Sequence, residues 1–417
     1  MTAEEIRDEG RLRTADWLIR PATVAVLKAL GRDGHRVRVV GGAVRNALIG
    51  EVVNDIDMAT DARPEEVMAL AQAAGLRAVP TGLAHGTVTV IADHQPYEVT
   101  TLRRDVETFG RHARVDFTRD WAEDAKRRDF TINALFCEAD GTVIDTVGGL
   151  ADLAARRIRF IGEAVDRIRE DYLRILRFFR FSATYGNGEI DRQGLAAAVA
   201  ERAGLRRLSG ERVHSEVKRL IVARKALAIL DVMLGHGLIV DIVGVPWLTR
   251  LGRVVAQEQS LGATPDPTLR LGALALAAPE DAQRLFQTLK LSGLERGRLQ
   301  AMASTLGQPF PETSQACERL LYRMGVVAYR DRLMLAWARA ASSASDAAWA
   351  EKAAQAGNQV PPAFPLRGRD LIGLGALPGP SLGALLKEIE AEWVAAGFKT
   401  DREALLARAA AKLAVQH

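Results

Sequence analysis

The sequence predicts an α+β fold, with a mixed sheet and its helices near the N-terminus and an all-helical remainder. Residues 36–147 alternate strand patterns with short helices. From about residue 151 onward the chain is rich in Ala, Leu, Arg and Glu with helical periodicity. At 417 residues the chain is also too long for one compact core, so we expect several domains.

The composition is typical of a soluble globular protein, with 48% hydrophobic and 26% charged residues. The formal net charge is only +4, but arginines concentrate around residues 103–128 and 156–180. Such local basic patches indicate nucleic-acid binding, although the interspersed acidic residues keep a solvated face as the alternative. No apolar run approaches the length of a membrane span, and the charged N-terminus has no signal-peptide core.

The two cysteines, Cys137 and Cys317, lie far apart in the sequence. This usage indicates a reducing cytoplasm and argues against a disulfide framework or a zinc cluster. We therefore expect a cytoplasmic protein.

After a helical stretch over residues 1–35, the first strand is predicted at Val37 to Val40 and is followed by Gly41 and Gly42. Glycines let the backbone approach a phosphate with free N–H groups. Asp55 and Asp57 follow in an extended segment, where alternate side chains share a face. Two carboxylates on one face predict a Mg²⁺ site, and phosphate beside metal predicts a nucleotide.

A third carboxylate, Glu98, lies on another predicted strand among apolar and aromatic neighbours. Its alternative interpretation is an exposed residue on an edge strand. Three carboxylates on neighbouring strands are what two-metal phosphoryl transfer requires, because one metal activates the attacking hydroxyl and the other neutralises the leaving pyrophosphate. The pattern therefore indicates nucleotidyl transfer.

Three later segments complete an ordered set of motifs: DAKRRDFTINAL at 124–135, IREDYLRILRFFRF at 168–181 and GERVHSEVKRL at 210–220. With the glycine and Asp-x-Asp segment, these motifs resemble the class II tRNA nucleotidyltransferases. That family comprises the CCA-adding enzymes and bacterial poly(A) polymerases of the DNA polymerase β-like superfamily. The resemblance runs through the first half of the chain and continues more weakly to the C-terminus. It implies a nucleotidyltransferase head followed by an elongated all-α neck, body and tail.

The resemblance implies a role for each matching position. Asp55 and Asp57 become the metal ligands, with Glu98 as the third catalytic carboxylate. The implied nucleotide-binding residues are Gly41, Gly42, Arg45, Arg127, Arg128, Asp129 and Asn133. Asn46 stands where the family usually has Asp, which puts a local hydrogen bond or an indirect phosphate contact in doubt but not catalysis.

The family's EDxxR motif implies a protein template that reads the base, formed by Glu170, Asp171 and Arg174, to which we add Arg177. Helical spacing independently predicts that these charges cluster along one helix face, with Ile168, Tyr172, Ile175 and Phe179 on the buried face. An arginine fork beside a carboxylate can match the amino group and ring nitrogen that cytosine and adenine share. The alternative is a surface helix with ordinary ion pairs.

The segment 103–120 has charge and glycine but no sustained periodicity, which predicts a mobile loop. In the resembling enzymes a flexible element here is needed to switch from C to A addition. Its presence favours complete CCA synthesis.

The predicted domains are a catalytic head over 1–150, a neck with the base-reading helix over 151–225, a body over 226–310 and a tRNA-binding tail over 311–417. Breaks between helices are expected at proline clusters near residues 261–267, 307–311 and 357–365.

The resemblance implies a Mg²⁺-dependent enzyme that adds C, C and A from CTP and ATP to the tRNA 3′ end. Its partners would be the tRNA acceptor arm and the two nucleotides, with no membrane and no obligate protein partner. Three alternatives stay open: a poly(A) polymerase, an enzyme that adds only A, and a tRNA-binding module without catalysis.

Overall fold

The predicted change from a mixed sheet to helices is confirmed in a computed structural model, which describes residues 12–109, 112–340, 346–356 and 360–415. Contacts within the chain define two compact units, Met1–Gly244 and Val245–His417. The division at Gly244 falls inside the segment predicted as the body. The finer division into head, neck, body and tail stays a prediction.

The sheet of the first unit has seven strands in the order β3-β4-β5-β2-β1-β8-β9. The neighbours β2 and β5 run parallel, and the other pairs run antiparallel. The strands of this sheet are β1 Val37–Val40, β2 Asp57–Thr60, β3 Arg77–Gly82, β4 Thr87–Ala92, β5 Gln95–Thr101, β8 Leu135–Cys137 and β9 Val143–Asp145. All four residues of β1 are buried, as expected for a central strand.

The loop predicted over 103–120 is wrong for most of its length. Residues Arg103–Phe109 form β6 and residues His112–Phe117 form β7, which pair as a separate antiparallel hairpin. The register shifts between Asp105 and Glu107. Such a bulge interrupts the two-residue alternation of a strand, which explains why no periodicity was visible in the sequence.

The earlier helices of the first unit connect and cover the sheet, and those from Ala164 onward pack mainly on one another. They are α1 Asp16–Ile19, α2 Pro21–Leu30, α3 Gly42–Leu48, α4 Pro64–Ala73, α5 Trp121–Lys126, α6 Gly149–Ala154, α7 Ala164–Glu170, α8 Leu173–Tyr185, α9 Arg192–Ala200, α10 Gly210–Leu220, α11 Ala226–Gly235 and α12 Val240–Val243. Residues 1–11 of the predicted N-terminal helical stretch lie outside the described residues.

The single helix predicted across the EDxxR motif is wrong, because α7 ends at Glu170 and α8 starts at Leu173. Asp171 between them has an extended backbone, with φ −154° and ψ 108°. Its Oδ1 accepts a hydrogen bond from the Leu173 amide at 3.1 Å. An Asp that bonds a backbone amide two residues ahead competes with the helical pattern and favours a new helix start.

A cluster of phenylalanines packs the DAKRRDFTINAL segment against α8. Phe130 lies within 5.1 Å of Phe181 and 4.9 Å of Phe160, and Phe160 stacks on Phe178 at 5.3 Å, measured between ring centroids. Phe130 and Phe178 are fully buried. Aromatic packing of this kind fixes α8 against the DAKRRDFTINAL segment, which leads into β8.

The described part of the second unit contains helices and no strands. Its helices are α13 Leu248–Ser260, α14 Pro267–Ala275, α15 Glu280–Leu289, α16 Gly293–Ser304, α17 Ser314–Arg339, α18 Asp346–Ala356, α19 Gly368–Ile372, α20 Pro380–Ala395 and α21 Arg402–Val415. The predicted breaks near residues 261–267 and 307–311 are confirmed, because one helix ends before each of them and the next starts at Pro267 or at Ser314. Part of the third predicted break, residues 357–359, lies outside the described residues. Within α17, Gly325 adopts a positive φ of 75° and separates two helical segments.

Candidate active site

Three predicted carboxylates lie on or next to the neighbouring strands β2 and β5. Asp57 starts β2 and is the register partner of Glu98 on β5, because the two strands run parallel. Asp55 precedes the strand, and Ile56 between the two aspartates is buried while both aspartates are exposed. The alternation predicted for this segment is therefore present.

The carboxylates influence one another electrostatically. Although the Asp57 side chain reaches the surface, the surrounding protein partly desolvates it, and this desolvation raises its pKa. Repulsion from Glu98 and Asp55 raises the pKa further, and Arg128 opposes the shift. Among the described residues, no three His, Cys, Asp or Glu side chains converge closely enough to enclose a metal ion. Asp55, Asp57 and Glu98 thus do not form a closed set of metal ligands.

The turn after β1 requires glycine at its first position. Gly41 has a φ of 72°, which is strained for other residues. A Cβ there would lie 3.4 Å from the carbonyl oxygen of Asn133. The Gly41 amide donates to the Leu135 carbonyl at 3.0 Å, so the expectation of two free amides is wrong for Gly41. Gly42 starts α3 and lines the same cleft as Asp55.

Arg45 is buried behind this turn and connects three segments. Its Nη1 donates to Asn133 Oδ1, and its Nη2 donates to Asn46 Oδ1 at 2.8 Å and to the Tyr185 hydroxyl at 2.8 Å. The guanidinium also stacks over the Tyr185 ring, 4.0 Å from its centroid. Burial lowers the pKa of Arg45.

Asn46, the departure from the family pattern, has a local role. Its Oδ1 accepts from Arg45, and its Nδ2 donates to the Val52 carbonyl at 3.0 Å. An Asp could make the first contact but not the second, since an ionised carboxylate has no donor. Asn46 therefore fastens the segment that leads to Asp55.

Asp124 orients both arginines that precede Asp129. Its Oδ1 accepts from Arg127 Nε at 2.7 Å, and its Oδ2 accepts from Arg128 Nη2 at 2.9 Å. Burial alone would raise the pKa of Asp124, but Arg128 and Arg127 together lower it. Burial also lowers the pKa of Arg127 to about 10. Sequence reasoning missed Asp124, although an acid three and four positions before two arginines is a helical ion-pair signal.

Asp129 is held by partners on all sides. Its Oδ1 accepts from the Phe130 amide at 2.9 Å and from Asn133 Nδ2 at 3.0 Å. Its Oδ2 accepts from Arg177 Nε at 2.8 Å and Nη2 at 2.5 Å. Burial opposes ionisation, but Arg177 and Asn133 lower the pKa of Asp129. Arg177, predicted to read the base, therefore commits two of its nitrogens to Asp129.

The predicted base-reading charges lie together around the break between α7 and α8. Glu170 accepts from Arg174 Nη1 and forms an ion pair with Arg167. Asp171 Oδ2 accepts from Arg212 Nη2 at 2.6 Å. On the opposite face, Ile168, Ile175 and Phe179 are buried as predicted, and Tyr172 is half-buried.

Two cavities meet at Asp57. The first, of about 610 Å³, brings the glycine turn and Asp55 together with the positions predicted to bind the nucleotide and to read the base. Its predicted site residues are Gly41, Gly42, Arg45, Asp55, Asp57, Arg127, Arg128, Asp129, Asn133, Asp171, Arg174 and Arg177. The second, of about 670 Å³, contains Glu98. Asp57, Arg127 and Arg128 line both.

No helix in the described residues combines the length and the apolar character needed to cross a membrane. Both cysteines are free thiols, and burial raises the pKa of Cys137 to about 12.

Comparison with known proteins covers nearly the whole chain. Residues 37–159 match a family model described as the Poly A polymerase head domain, and residues 271–409 match tRNA nucleotidyltransferase domain 2. The mitochondrial CCA tRNA nucleotidyltransferase 1 of Mus musculus is 33% identical over 411 residues, which cover 92% of this chain and 88% of the relative. The CCA-adding enzyme of Levilactobacillus brevis is 33% identical over 396 residues, covering 92% of this chain and 95% of that enzyme.

Among solved structures, the Bacillus stearothermophilus CCA-adding enzyme in complex with CTP has a TM-score of 0.73 and 26% identity. The match covers 95% of this chain and 98% of that one. The resemblance, which is strongest in the motifs of the first half of the chain, thus extends over both units. This chain belongs to the family of CCA-adding tRNA nucleotidyltransferases.

Proposed function

We propose that this enzyme adds C, C and A to the 3′ end of tRNA, using CTP and ATP and releasing pyrophosphate. The observation that carries the proposal is one cleft that contains both Asp55 and Asp57 and the pair Asp171 and Arg174. The first pair is suited to phosphoryl transfer, and the second is suited to recognition of a base. An enzyme that adds a defined sequence without a nucleic-acid template needs both functions in one site.

The distribution of carboxylates between the cavities supports an assignment of the two substrates. Asp55 lines the first cavity, Glu98 lines the second and Asp57 lines both. We assign the nucleotide to the first cavity, which also contains the base-reading residues. The tRNA 3′-hydroxyl would then approach through the second cavity, where Glu98 would accept its proton or orient it.

Mg²⁺ is the cofactor we assign to Asp55 and Asp57. Mg²⁺ is commonly held by one or two carboxylates together with substrate phosphates, so this pair fits without a third protein ligand. The raised pKa of Asp57, caused by burial and by its acidic neighbours, supports the need for a cation here. When bound, the ion would neutralise the triphosphate and activate the attacking hydroxyl.

The remaining positions of the first cavity would bind the sugar and phosphates. Arg127 and Arg128, oriented by Asp124, would contact the triphosphate. Asn133 would present its amide to the ribose in an orientation set by Asp129 and Arg45. Asp129 would act indirectly, by orienting Asn133 and Arg177, which donate hydrogen bonds to its carboxylate.

Base selection would depend on Asp171 and Arg174. Arg174 offers only donors and ionised Asp171 only acceptors, which complements the ring nitrogen and amino group of cytosine and adenine. Glu170 accepts a hydrogen bond from Arg174 Nη1 and would thereby fix the orientation of the Arg174 guanidinium.

The helical second unit would bind tRNA through its shape and phosphates. The match of residues 271–409 to tRNA nucleotidyltransferase domain 2 supports this assignment. The hairpin of β6 and β7 occupies the region that we associate with the switch from C to A addition, which supports synthesis of the complete CCA.

We place the enzyme in the cytoplasm, where the free thiols Cys137 and Cys317 would stay reduced. Fluorescence microscopy of the tagged full chain in its native cell, with a membrane dye, would test this assignment. A signal confined to an organelle or membrane would contradict it.

A poly(A) polymerase is the second candidate, because the first unit matches a model that carries that description. The deciding experiment offers tRNA transcripts that end before CCA, after one C and after CC, each with one nucleotide at a time. Addition of two C residues from CTP followed by one A from ATP supports our proposal. Iterated A addition indicates poly(A) synthesis, and A addition only after CC indicates an A-adding enzyme. Binding of tRNA without any incorporation indicates a module that has lost catalysis.

A further inference from the structure

The orientation of Asp171 depends on its partners, because this residue lies in the break between α7 and α8. Its extended backbone places it outside both helices. Its Oδ1 is held by the Leu173 amide at 3.1 Å, and its Oδ2 is held by Arg212 Nη2 at 2.6 Å. The side chain that faces the base is therefore fixed by one local contact and one contact from a distant segment.

Arg212 comes from α10, which packs against α8. One face of α10 is buried and carries Val213, Val217 and Leu220. One turn after Arg212, Glu216 is also buried and accepts from Arg180 of α8. The contacts of Arg212 with Asp171 and of Glu216 with Arg180 fix the position of α10 along α8. A rigid helix therefore holds Arg212 next to Asp171.

Arg212 stands behind Asp171 as seen from the nucleotide cavity. Asp171, Arg174 and Arg177 are among the described residues that line the cavity, and Arg212 is not. The Arg212 and Asp171 side chains are both about one-fifth exposed, at 19% and 20%. Any effect of Arg212 on the base would consequently pass through Asp171.

We propose that Arg212 is a positioning residue that sets nucleotide selectivity by holding Asp171 as an oriented, acceptor-only carboxylate. This inference rests on the proposed function and adds a residue to it. Arginine has donors and no acceptor, so it pairs with the ionised form of Asp171. The free lone pairs of that carboxylate can accept from the amino groups of cytosine and adenine.

The same carboxylate rejects the other two bases. Uracil and guanine present a carbonyl oxygen where cytosine and adenine present an amino group, so a carboxylate held in its acceptor-only form has no donor for them. Without Arg212 only the Leu173 amide would hold the side chain, so the carboxylate would no longer present its acceptors in one fixed direction. Loss of Arg212 should therefore relax selectivity more than it slows catalysis.

The test compares Arg212→Gln, Arg212→Lys and the wild type in kcat/KM for each nucleotide, with CTP and UTP on tRNA that lacks CCA and with ATP and GTP on tRNA that ends in CC. We expect Arg212→Gln to lower the preference for CTP over UTP by about tenfold, while the rate with CTP falls less. Arg212→Lys keeps the charge and should restore most of the preference. Arg206→Gln, which breaks the exposed pair with Asp241 elsewhere in this unit, is the matched control and should leave all four values unchanged.

A double-mutant cycle with Asp171→Asn separates positioning from a general structural role. If Arg212 acts through Asp171, adding Arg212→Gln to Asp171→Asn should change the nucleotide preference little further. Because each preference is a ratio measured on one preparation, partly unfolded protein does not alter it. Equal slowing of all nucleotides by Arg212→Gln, or full additivity in the cycle, would overturn the inference. Failure of the wild type to incorporate CTP would instead overturn the proposed function.

Discussion

Asp57 and Glu98 are register partners on the parallel strands β2 and β5, at the point where the two cavities of the first unit meet. Neither strand alone would create the site, since Glu98 follows Asp57 by 41 positions in the sequence. Parallel pairing of the two strands places these carboxylates side by side. Five predictions follow from this geometry and from the contacts around it.

Replacement of Asp57 by Asn should reduce nucleotide incorporation by more than about a hundredfold, because stabilisation of transition-state charge is lost. Asp55→Asn and Glu98→Gln should also be severely impaired. Binding of tRNA should change little, because phosphate-backbone contacts dominate its affinity. Single-turnover incorporation and filter binding measure the two effects, with the exposed Glu65→Gln as control. Substantial activity in Asp57→Asn would remove our assignment of the site.

Replacement of Asp171 by Ala should increase the use of UTP relative to CTP. The expected change in relative transition-state binding is about 1–3 kcal/mol, the scale of one good base-reading contact. Arg174→Ala should impair CTP and ATP together, because both bases lose the partner of their ring nitrogen. The measurement is kcat/KM for each of the four nucleotides. If both variants keep the wild-type preference, the base is read elsewhere.

Asp124→Asn should raise the KM for CTP and ATP alike by roughly tenfold, because Arg127 and Arg128 lose the carboxylate that orients them. The preference among nucleotides should stay as in the wild type, since Asp171 is untouched. Steady-state kinetics with each nucleotide would show this, and Asp241→Asn on the protein surface serves as control. A changed preference without a changed KM would contradict the role assigned to Asp124.

Asp124 should also contribute to the acid sensitivity of folding. Its pKa is lowered in the folded state, so its stabilising effect is present above the unfolded value of about 3.9 and is lost as the pH falls through the folded value. At pH 7, Asp124→Asn should reduce the free energy of unfolding by about 3 kcal/mol, because a buried ion pair is broken. As the pH falls below about 3.9 towards the lowered folded value, the stabilisation is progressively lost and the difference between the two proteins should shrink. Denaturant unfolding of both proteins from pH 7 to pH 3 measures this difference in the free energy of unfolding. A difference that stays constant over this range would contradict the prediction.

Asn46→Asp restores the residue usual in the family and tests the local contacts found here. The carboxylate would strengthen the bond to Arg45 but would lose the donor to the Val52 carbonyl. We expect the two changes to offset, with a net effect on unfolding within about 1 kcal/mol and activity largely kept. Thermal unfolding and CTP incorporation would be compared with those of Asn46→Ala, which loses both contacts and should be the more destabilised variant. Equal effects of the two substitutions would show that the bond to Arg45 contributes nothing, since only Asn46→Ala loses it.

Much of the site could be predicted because its residues are close in sequence. The Gly41-Gly42 turn, the alternation of Asp55 and Asp57 around buried Ile56, and the α+β class all follow from patterns over a few residues, where chain geometry decides which side chains share a face. The family resemblance supplied the roles of the later motifs. Asp124 was within reach of the same reasoning, since it lies one helical turn before Arg127 and Arg128.

The sequence by itself determined the kinds of chemical groups and their local spacing, but only the tertiary structure decided which groups pair. Arg177 binds Asp129 across 48 positions and Arg212 binds Asp171 across 41. Such contacts depend on how α8 and α10 pack, and no local pattern records that packing. The break at Asp171 is similar, because a side-chain contact to the Leu173 amide outweighs a helical periodicity that continues through it. Periodicity describes one element at a time, whereas pairing between elements is settled by the burial of their shared apolar faces.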